Sequence, residues 1–286
     1  MLAAGMILQS RYRIVGPIGQ GGMGAVYEAI HQQLKSRVAL KQLTVAGDQL
    51  SRAFEREAQL LASLRHPALP RVIDHFTEER GQFLVMEFIE GRDLGELLRE
   101  RGGAFPPAQI LGWADQLLAA LDYLHTQPTP IIHRDIKPPN LKLTQRGEII
   151  LLDFGLAKGS TPLQTSAATD HSLLGYTPQY APLEQIQGAG TTERSDLFSL
   201  AATLYYLATN QQPAAALARA GAIVQGDPDP LIPPGRLNPQ LPAGLNDGLM
   251  RALALDPKQR PASAAAMRRE LLAGSAPQPA RPAAGP

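Results

Sequence analysis

Apolar and polar positions change their rhythm along this chain. Between residues 12 and 43 they come in short β-rich runs, RYRIVGPI, AVYEAI and SRVALKQL, parted by glycine-rich or polar turns, which predicts three strands. Over residues 48–65 the spacing becomes helical, with Leu50, Ala53, Phe54, Leu60, Leu61 and Leu64 on one stripe and Glu57 inside it. Two further strands are expected near 71–77 and 82–88. From Pro107 onward helices dominate, roughly over 107–126, 193–209, 243–253 and 262–272, interrupted by short strands near 141–143 and 149–152. No internal repeat is present. A small strand-rich part thus precedes a larger helix-rich part, the two joined by FLVMEFIEG, and such junctions between lobes favour ligands.

Composition narrows the classes. With 44% hydrophobic and 19% charged residues in 286, the chain can form a packed core. A formal net charge of +1 gives no global reason to expect nucleic acid or an anionic membrane as partner. The absence of cysteine excludes disulfides, thiolate metal sites and a cysteine nucleophile, and fits a reducing cytoplasm. The N-terminal MLAAGMILQSRYR lacks the long apolar core of a signal peptide. The longest uncharged stretch, Leu197 to Leu217, contains Asn210, Gln211, Gln212 and Pro213. That makes it a poor membrane span, and a buried core helix from about Leu197 to Thr209 is expected instead. Residues 274–286 hold four prolines in thirteen and almost no bulky apolar side chain, so they read as a flexible tail or linker.

Several short constellations carry chemistry. Gly19, Gly21, Gly22 and Gly24 lie in a glycine-rich turn between two strands, where backbone N–H groups can approach phosphate oxygens closely. Alone, such a turn is equally an ordinary hairpin; a dinucleotide site would need a helix after it, and a strand follows. Lys41 ends the apolar run Val38-Ala39-Leu40, where lysine ordinarily snorkels to water. Glu57, on the apolar face of the helix, is costly unless paired, and Lys41 is its expected partner. Residues 131–140, IIHRDIKPPN, cluster His133, Arg134, Asp135, Lys137 and Asn140 in a segment whose prolines oppose helix. Residues 150–155, ILLDFG, end an apolar strand on Asp153.

No single one of these decides the matter, but their order does. GxGxxGxV, VALK, a helical glutamate, HRDxKxxN and DFG follow one another, with Asp135 five residues before Asn140 and eighteen before Asp153. The chain therefore resembles the protein kinase superfamily over roughly residues 10–273, and within it the eukaryotic-like bacterial Ser/Thr kinases, through GQGGMGAVY, HRDIKPPN and ALALDPKQRPASA.

The resemblance implies an α+β bilobal fold with ATP in the cleft. A small antiparallel β-rich lobe with one helix would span about 10–87, a hinge 87–91, and a larger mainly helical lobe 92–273. It implies ATP-dependent transfer of a phosphoryl group to protein Ser/Thr hydroxyls, with ATP and Mg²⁺ (or Mn²⁺) as cofactors. The glycine loop would cover the phosphates, Lys41 would hold the α- and β-phosphates, and Glu57 would hold Lys41. Asp153 and Asn140 would be metal ligands, Asp135 the base, and Lys137 a neutralising charge on the γ-phosphate. Lysine at 137 favours Ser/Thr over Tyr as acceptor. Val26, Ala39 and Leu143 would sandwich adenine, Met86 would be the gatekeeper, Glu87 and Ile89 would offer backbone hydrogen bonds, and Asp93 would meet ribose. Arg134 beside Asp135 implies regulation by loop phosphorylation, with Thr169 and then Ser172 as the favoured sites among Ser160, Thr161, Thr165, Ser166, Thr169 and Ser172. Glu184 would pair with Arg260, and Asp196 would support the segment containing Asp135. Homodimerisation through the small lobe, and a longer membrane-anchored parent, are habits of the family.

There are departures. Leu183 stands at the expected proline, Tyr176 precedes Thr177 where glycine is usual, and Ala201 replaces a common glycine. These touch the peptide-binding region rather than the nucleotide chemistry. The alternatives are an ATP-binding pseudokinase, which the presence of Lys41, Asp135, Asn140 and Asp153 opposes, and a small-molecule kinase, which the 177–184 segment and Arg260 oppose.

Overall fold

The computed structural model describes residues 1–21, 24–43, 55, 58–153 and 177–273. Strands β1 (Ile7–Leu8), β2 (Tyr12–Gly21), β3 (Gly24–His31), β4 (Ser36–Leu43), β5 (Val72–Glu78) and β6 (Gly81–Glu87) form one antiparallel sheet in the order β1-β2-β3-β4-β6-β5. The alternation seen in the sequence sorts its two faces. Ala25, Tyr27, Ala29, Val38, Leu40, Phe83 and Val85 point to the outer face, where they pack with Leu2, Leu8, Tyr12 and Ile14. Leu2 and Leu8 thus belong to the packed unit although they precede residue 10. On the opposite face, register sets Val26 beside Lys41, Lys41 beside Leu84, and Ala39 beside Met86. Gly24 closes the β2–β3 hairpin at φ 152°, and a Cβ there would run into the Gln42 carbonyl oxygen.

Residues 58–63 are helical, and Leu61 and Leu64 are buried as the stripe requires. Leu60, placed on the same stripe by the sequence pattern, is instead 43% exposed, and the helix ends before Leu64. Leu60 lies about 100° round the helix from Leu61, and here that turn carries it to the side facing away from the core. Leu50, Ala53, Phe54 and Glu57 lie outside the described residues.

The larger lobe begins with β7 (Arg92–Asp93), which pairs with β8 (Leu141–Leu143) and through it with β9 (Ile149–Leu151). Its helices are α1 (Leu94–Arg101), α2 (Pro107–His125), α3 (Leu183–Ile186), α4 (Glu193–Thr209), α5 (Ala216–Val224), α6 (Pro234–Leu237), α7 (Ala243–Ala252) and α8 (Ala264–Ala273). The sequence pattern gave no helix for α1 or α5. Helix α1 carries its own signals, Asp93 as N-cap to the Glu96 N–H and Gly102 in the left-handed conformation as C-cap. Helix α4 is buried on nearly all sides, which explains its weak amphipathic pattern. It is the axis of a core that runs through α2, α7 and α8 and continues upward to Leu61, Leu84 and Met86 of the smaller lobe. Among the described residues no helix is long and apolar enough to cross a membrane.

Candidate active site

The chemistry-bearing residues meet where the lower sheet face looks down on β8, β9 and the segment 131–140. Lys41 Nζ, from β4, is 2.9 Å from Asp153 Oδ1, just past the end of β9. The expected Lys41–Glu57 pair lies outside the described residues with Glu57, as do Gly22, Thr169 and Ser172. Asp153 has φ 59°, in the left-handed region that a side-chain-bearing residue enters only under local constraint.

Asp135 is held from two sides. Asn140 Nδ2 donates to its Oδ2 at 3.0 Å and to its backbone carbonyl at 2.8 Å, and Lys137 Nζ lies 3.2 Å from Oδ2. Lys137 also approaches Thr177 Oγ1 at 3.4 Å, which brings the 177–184 segment to the same spot. Pro138–Asn140 form a 3₁₀ turn, so Asn140 folds back toward Asp135. The Leu152 N–H donates to the Asn140 carbonyl at 2.8 Å, tying this segment to the approach to Asp153.

Asp196, in the first turn of α4 and fully buried, accepts the N–H groups of His133 and Arg134 at 2.8 and 2.9 Å, and faces His125 Nε2 at 3.0 Å. The helix N-terminus favours that carboxylate. His133 is buried beneath the segment with Nε2 3.1 Å from the Leu152 carbonyl. Burial pushes its imidazole below the ordinary range, against the opposing pull of the Asp196, Asp135 and Asp153 carboxylates.

The expected Glu184–Arg260 pair is formed and bidentate, with Nη1–Oε1 2.6 Å and Nη2–Oε2 3.0 Å. Arg260 has no exposed side-chain surface, and its remaining donors reach the Ala254, Arg194 and Leu255 carbonyls. Burial raises the Glu184 carboxyl, but the Arg260 hydrogen bonds and charge, with Ser195, outweigh it and leave it below 4.5.

The residues that the resemblance places around the nucleotide come from the lower sheet face and β8. Val26 and Ala39 are half-buried on the lower sheet face, Leu143 is half-buried on β8, and Met86 is buried between them and the core. The Glu87 N–H donates to the Arg71 carbonyl at 2.8 Å, so only its carbonyl can serve an adenine edge. Asp93 spends Oδ1 on the α1 N-cap, a role that the sequence reading did not give it. Gly91, at φ 143°, lets the hinge pass so close to β8 that a Cβ would strike the Leu143 carbonyl. Arg37 braces the hinge, donating to Glu28 and Glu90 at 2.7 Å each with its guanidinium 3.9 Å over the Phe88 ring. Arg37, His125, Gln185 and Thr191 were not foreseen. Arg37 directly precedes the Val38–Lys41 run, Gln185 directly follows Glu184, and His125 lies eight residues before His133, yet none carried a signal of its own.

The protein kinase domain family profile matches residues 12–272. The chain belongs to the protein kinase family. This kinase domain is 37% identical over 275 residues to the serine/threonine-protein kinase PksC of Streptomyces coelicolor, covering 92% of this chain and 48% of that one. It is 33% identical over 259 residues to a probable serine/threonine-protein kinase of Clostridium perfringens, covering 90% and 37%. Among solved structures, the apo form of PpkA-294 superposes with a TM-score of 0.77 at 25% identity, covering 95% of this chain and 99% of that one. The chain spans between about a third and a half of the curated relatives it matches. As a domain it is of the eukaryotic-like Ser/Thr protein kinase type, and nothing in these relatives favours the pseudokinase alternative.

Proposed function

We propose that the protein transfers the γ-phosphoryl group of ATP to serine or threonine hydroxyls of protein substrates, with the residues above in distinct roles. The observation that carries this reading is the Asp135 carboxylate, held by Asn140 and Lys137 beside Thr177, opposite the Lys41–Asp153 pair. Asp135 orients the acceptor hydroxyl and takes its proton as the bond to phosphorus forms. Lys137 offsets charge on the transferred group, and Lys41 holds the α- and β-phosphates under the glycine loop of Gly19, Gly21, Gly22 and Gly24. Val26, Ala39 and Leu143 cover adenine, Met86 closes the pocket behind it, and the hinge at Glu87 and Ile89 offers backbone hydrogen bonds.

The donor set suits a divalent metal. The Asp153 carboxylate and the Asn140 side-chain oxygen are hard oxygen ligands of the kind Mg²⁺ takes, and Mn²⁺ shares that preference. Asp153 and Asn140 would hold such a cation, which would supply positive charge to offset that of the phosphates. Thr169, then Ser172, are the proposed autophosphorylation sites, and a cysteine-free ATP-using domain suits the cytoplasm.

Incubating the chain with Mg²⁺, γ-labelled ATP and a generic protein substrate tests the reading, with Asp153→Asn and Asp135→Asn alongside. Label on wild type alone is expected, with nucleotide binding kept in Asp135→Asn. A wild type that labels neither itself nor the substrate would overturn it. Phosphopeptide mapping then tests Thr169 and Ser172.

A further inference from the structure

The residue before Asp135 is gripped at three points by one short stretch of chain. The Arg134 N–H donates to Asp196 Oδ1 at 2.9 Å, its carbonyl accepts from Gln185 Nε2 at 3.0 Å, and its Nε donates to Thr191 Oγ1 at 2.8 Å. Arg134 has φ 65°, and for a residue with a Cβ the left-handed region persists only where the surroundings over-determine it. The carbonyl that Gln185 pins belongs to the peptide unit leading into Asp135. Rotation of that unit turns the direction in which the Asp135 side chain leaves the backbone.

We infer that Gln185 is a positioning residue: by pinning the Arg134 carbonyl it keeps Arg134 left-handed and so aims the Asp135 carboxylate at the acceptor hydroxyl. This rests on the role of Asp135 proposed above. Gln185 sits on α3, next to Glu184, whose carboxylate is fixed by Arg260 and Ser195. Its anchor is therefore rigid. The sense of the amide is also fixed. Nε2 faces a carbonyl, which requires a donor, whereas Oε1 is buried without a partner among the described residues, beside a cavity of about 10 Å³ lined by Arg134, Asp135 and Thr177. Reversing the amide would set two carbonyl oxygens against each other. Gln185→Met removes the donor without adding a charge and keeps much of the side chain's bulk, whereas Gln185→Glu removes the donor only by setting a carboxylate near Asp135.

Glycine supplies the separating test, because it adopts φ 65° without the steric penalty that Arg134 bears. Steady-state kinetics of the full chain are measured for Gln185→Glu and Gln185→Met, each alone and combined with Arg134→Gly. The expected result for the single variants is a fall in kcat of about tenfold with the KM for ATP within about twofold. Added to Arg134→Gly, the same substitutions cost about twofold or less, a coupling between neighbours that a merely structural role would not produce. Equal fold losses in both backgrounds, or an unchanged kcat in Gln185→Met, overturn the inference. Thermal melts identify a misfolded Gln185→Met, in which case Gln185→Leu, which also lacks both donor and charge, is measured in its place and the same outcomes decide. Failure of the kinase reading itself looks different, since wild type would then transfer no phosphate and the inference falls with it.

Discussion

Lys41 and Asp153 reach each other across the cleft, with Nζ and Oδ1 2.9 Å apart. One comes from the centre of the small-lobe sheet, the other from the end of a large-lobe strand. The pair ties the lobes together at the place where triphosphate charge would arrive, and each partner is only partly exposed, at 21% and 37%. Asp153→Asn is expected to lower turnover by about 10³-fold or more, because a proposed metal ligand and the counter-charge of Lys41 go together. Lys41→Met should match it in turnover, with a smaller loss in nucleotide titrations. Turnover within tenfold of wild type by either variant would sink these assignments.

The Glu184–Arg260 pair links α3 to the turn before α8, and every donor of the buried guanidinium has an acceptor. Removing one side strands a charge in the core, so Arg260→Met is expected to cost about 3–5 kcal/mol in urea unfolding. Arg260→Met with Glu184→Met should cost clearly less than the sum of the two singles. Additive losses would mean that the pair is not a unit.

The same carboxylate sets an acid limit. Glu184 is held below 4.5 in the fold, so its contribution is fully present above that value and is lost as pH falls through the depressed one. His133 acts in the same direction at a higher pH. Its imidazole is lowered below 6.5, so the unfolded chain binds the proton first and stability declines as pH drops beneath 6.5. Melting temperature followed from pH 7.5 to 5.5 should fall in wild type and fall less steeply in His133→Phe. Parallel slopes would remove His133 from the account.

At the hinge, Arg37 joins Glu28, Glu90 and the face of Phe88. The group is exposed enough for solvent to screen it, so Arg37→Ala should cost little stability. The loss should appear as a few-fold rise in the KM for ATP at low salt, with kcat unchanged, and shrink at high salt. A change confined to kcat would place the effect elsewhere.

Gly91→Ala tests the close approach of hinge and β8. A methyl group there meets the Leu143 carbonyl, and φ 143° is strained for alanine, so a loss of at least about 1–3 kcal/mol is expected. A melt unchanged from wild type would contradict the tight passage.

The large-scale division of this fold was legible because its signals are periodic. β2, β3 and β4 alternate, β6 is a continuous apolar run, α2 and α4 have length, and the clustered polar residues at 131–140 have no bland explanation of equal weight. What escaped has physical causes. Helix α1 is eight residues, half of them charged, whose caps are visible only once a helix is suspected. Helix α5 was hidden by apolar residues on its exposed side, Leu217 and Val224 among them. Gln185 and Thr191 are ordinary polar residues in the sequence, and they matter because a left-handed Arg134 lies within their reach. The local spacing of a chain does not encode that proximity.

The two faces of the small-lobe sheet lie in different cores. Tyr27 and Leu40 pack outward with the N-terminal residues, while Leu84 and Met86 pack with helices of the other lobe. Alternate residues of one strand therefore answer to different mechanical loads. A cavity cut at Leu84 is transmitted to the floor of the cleft, whereas one cut at Leu40 stays above it.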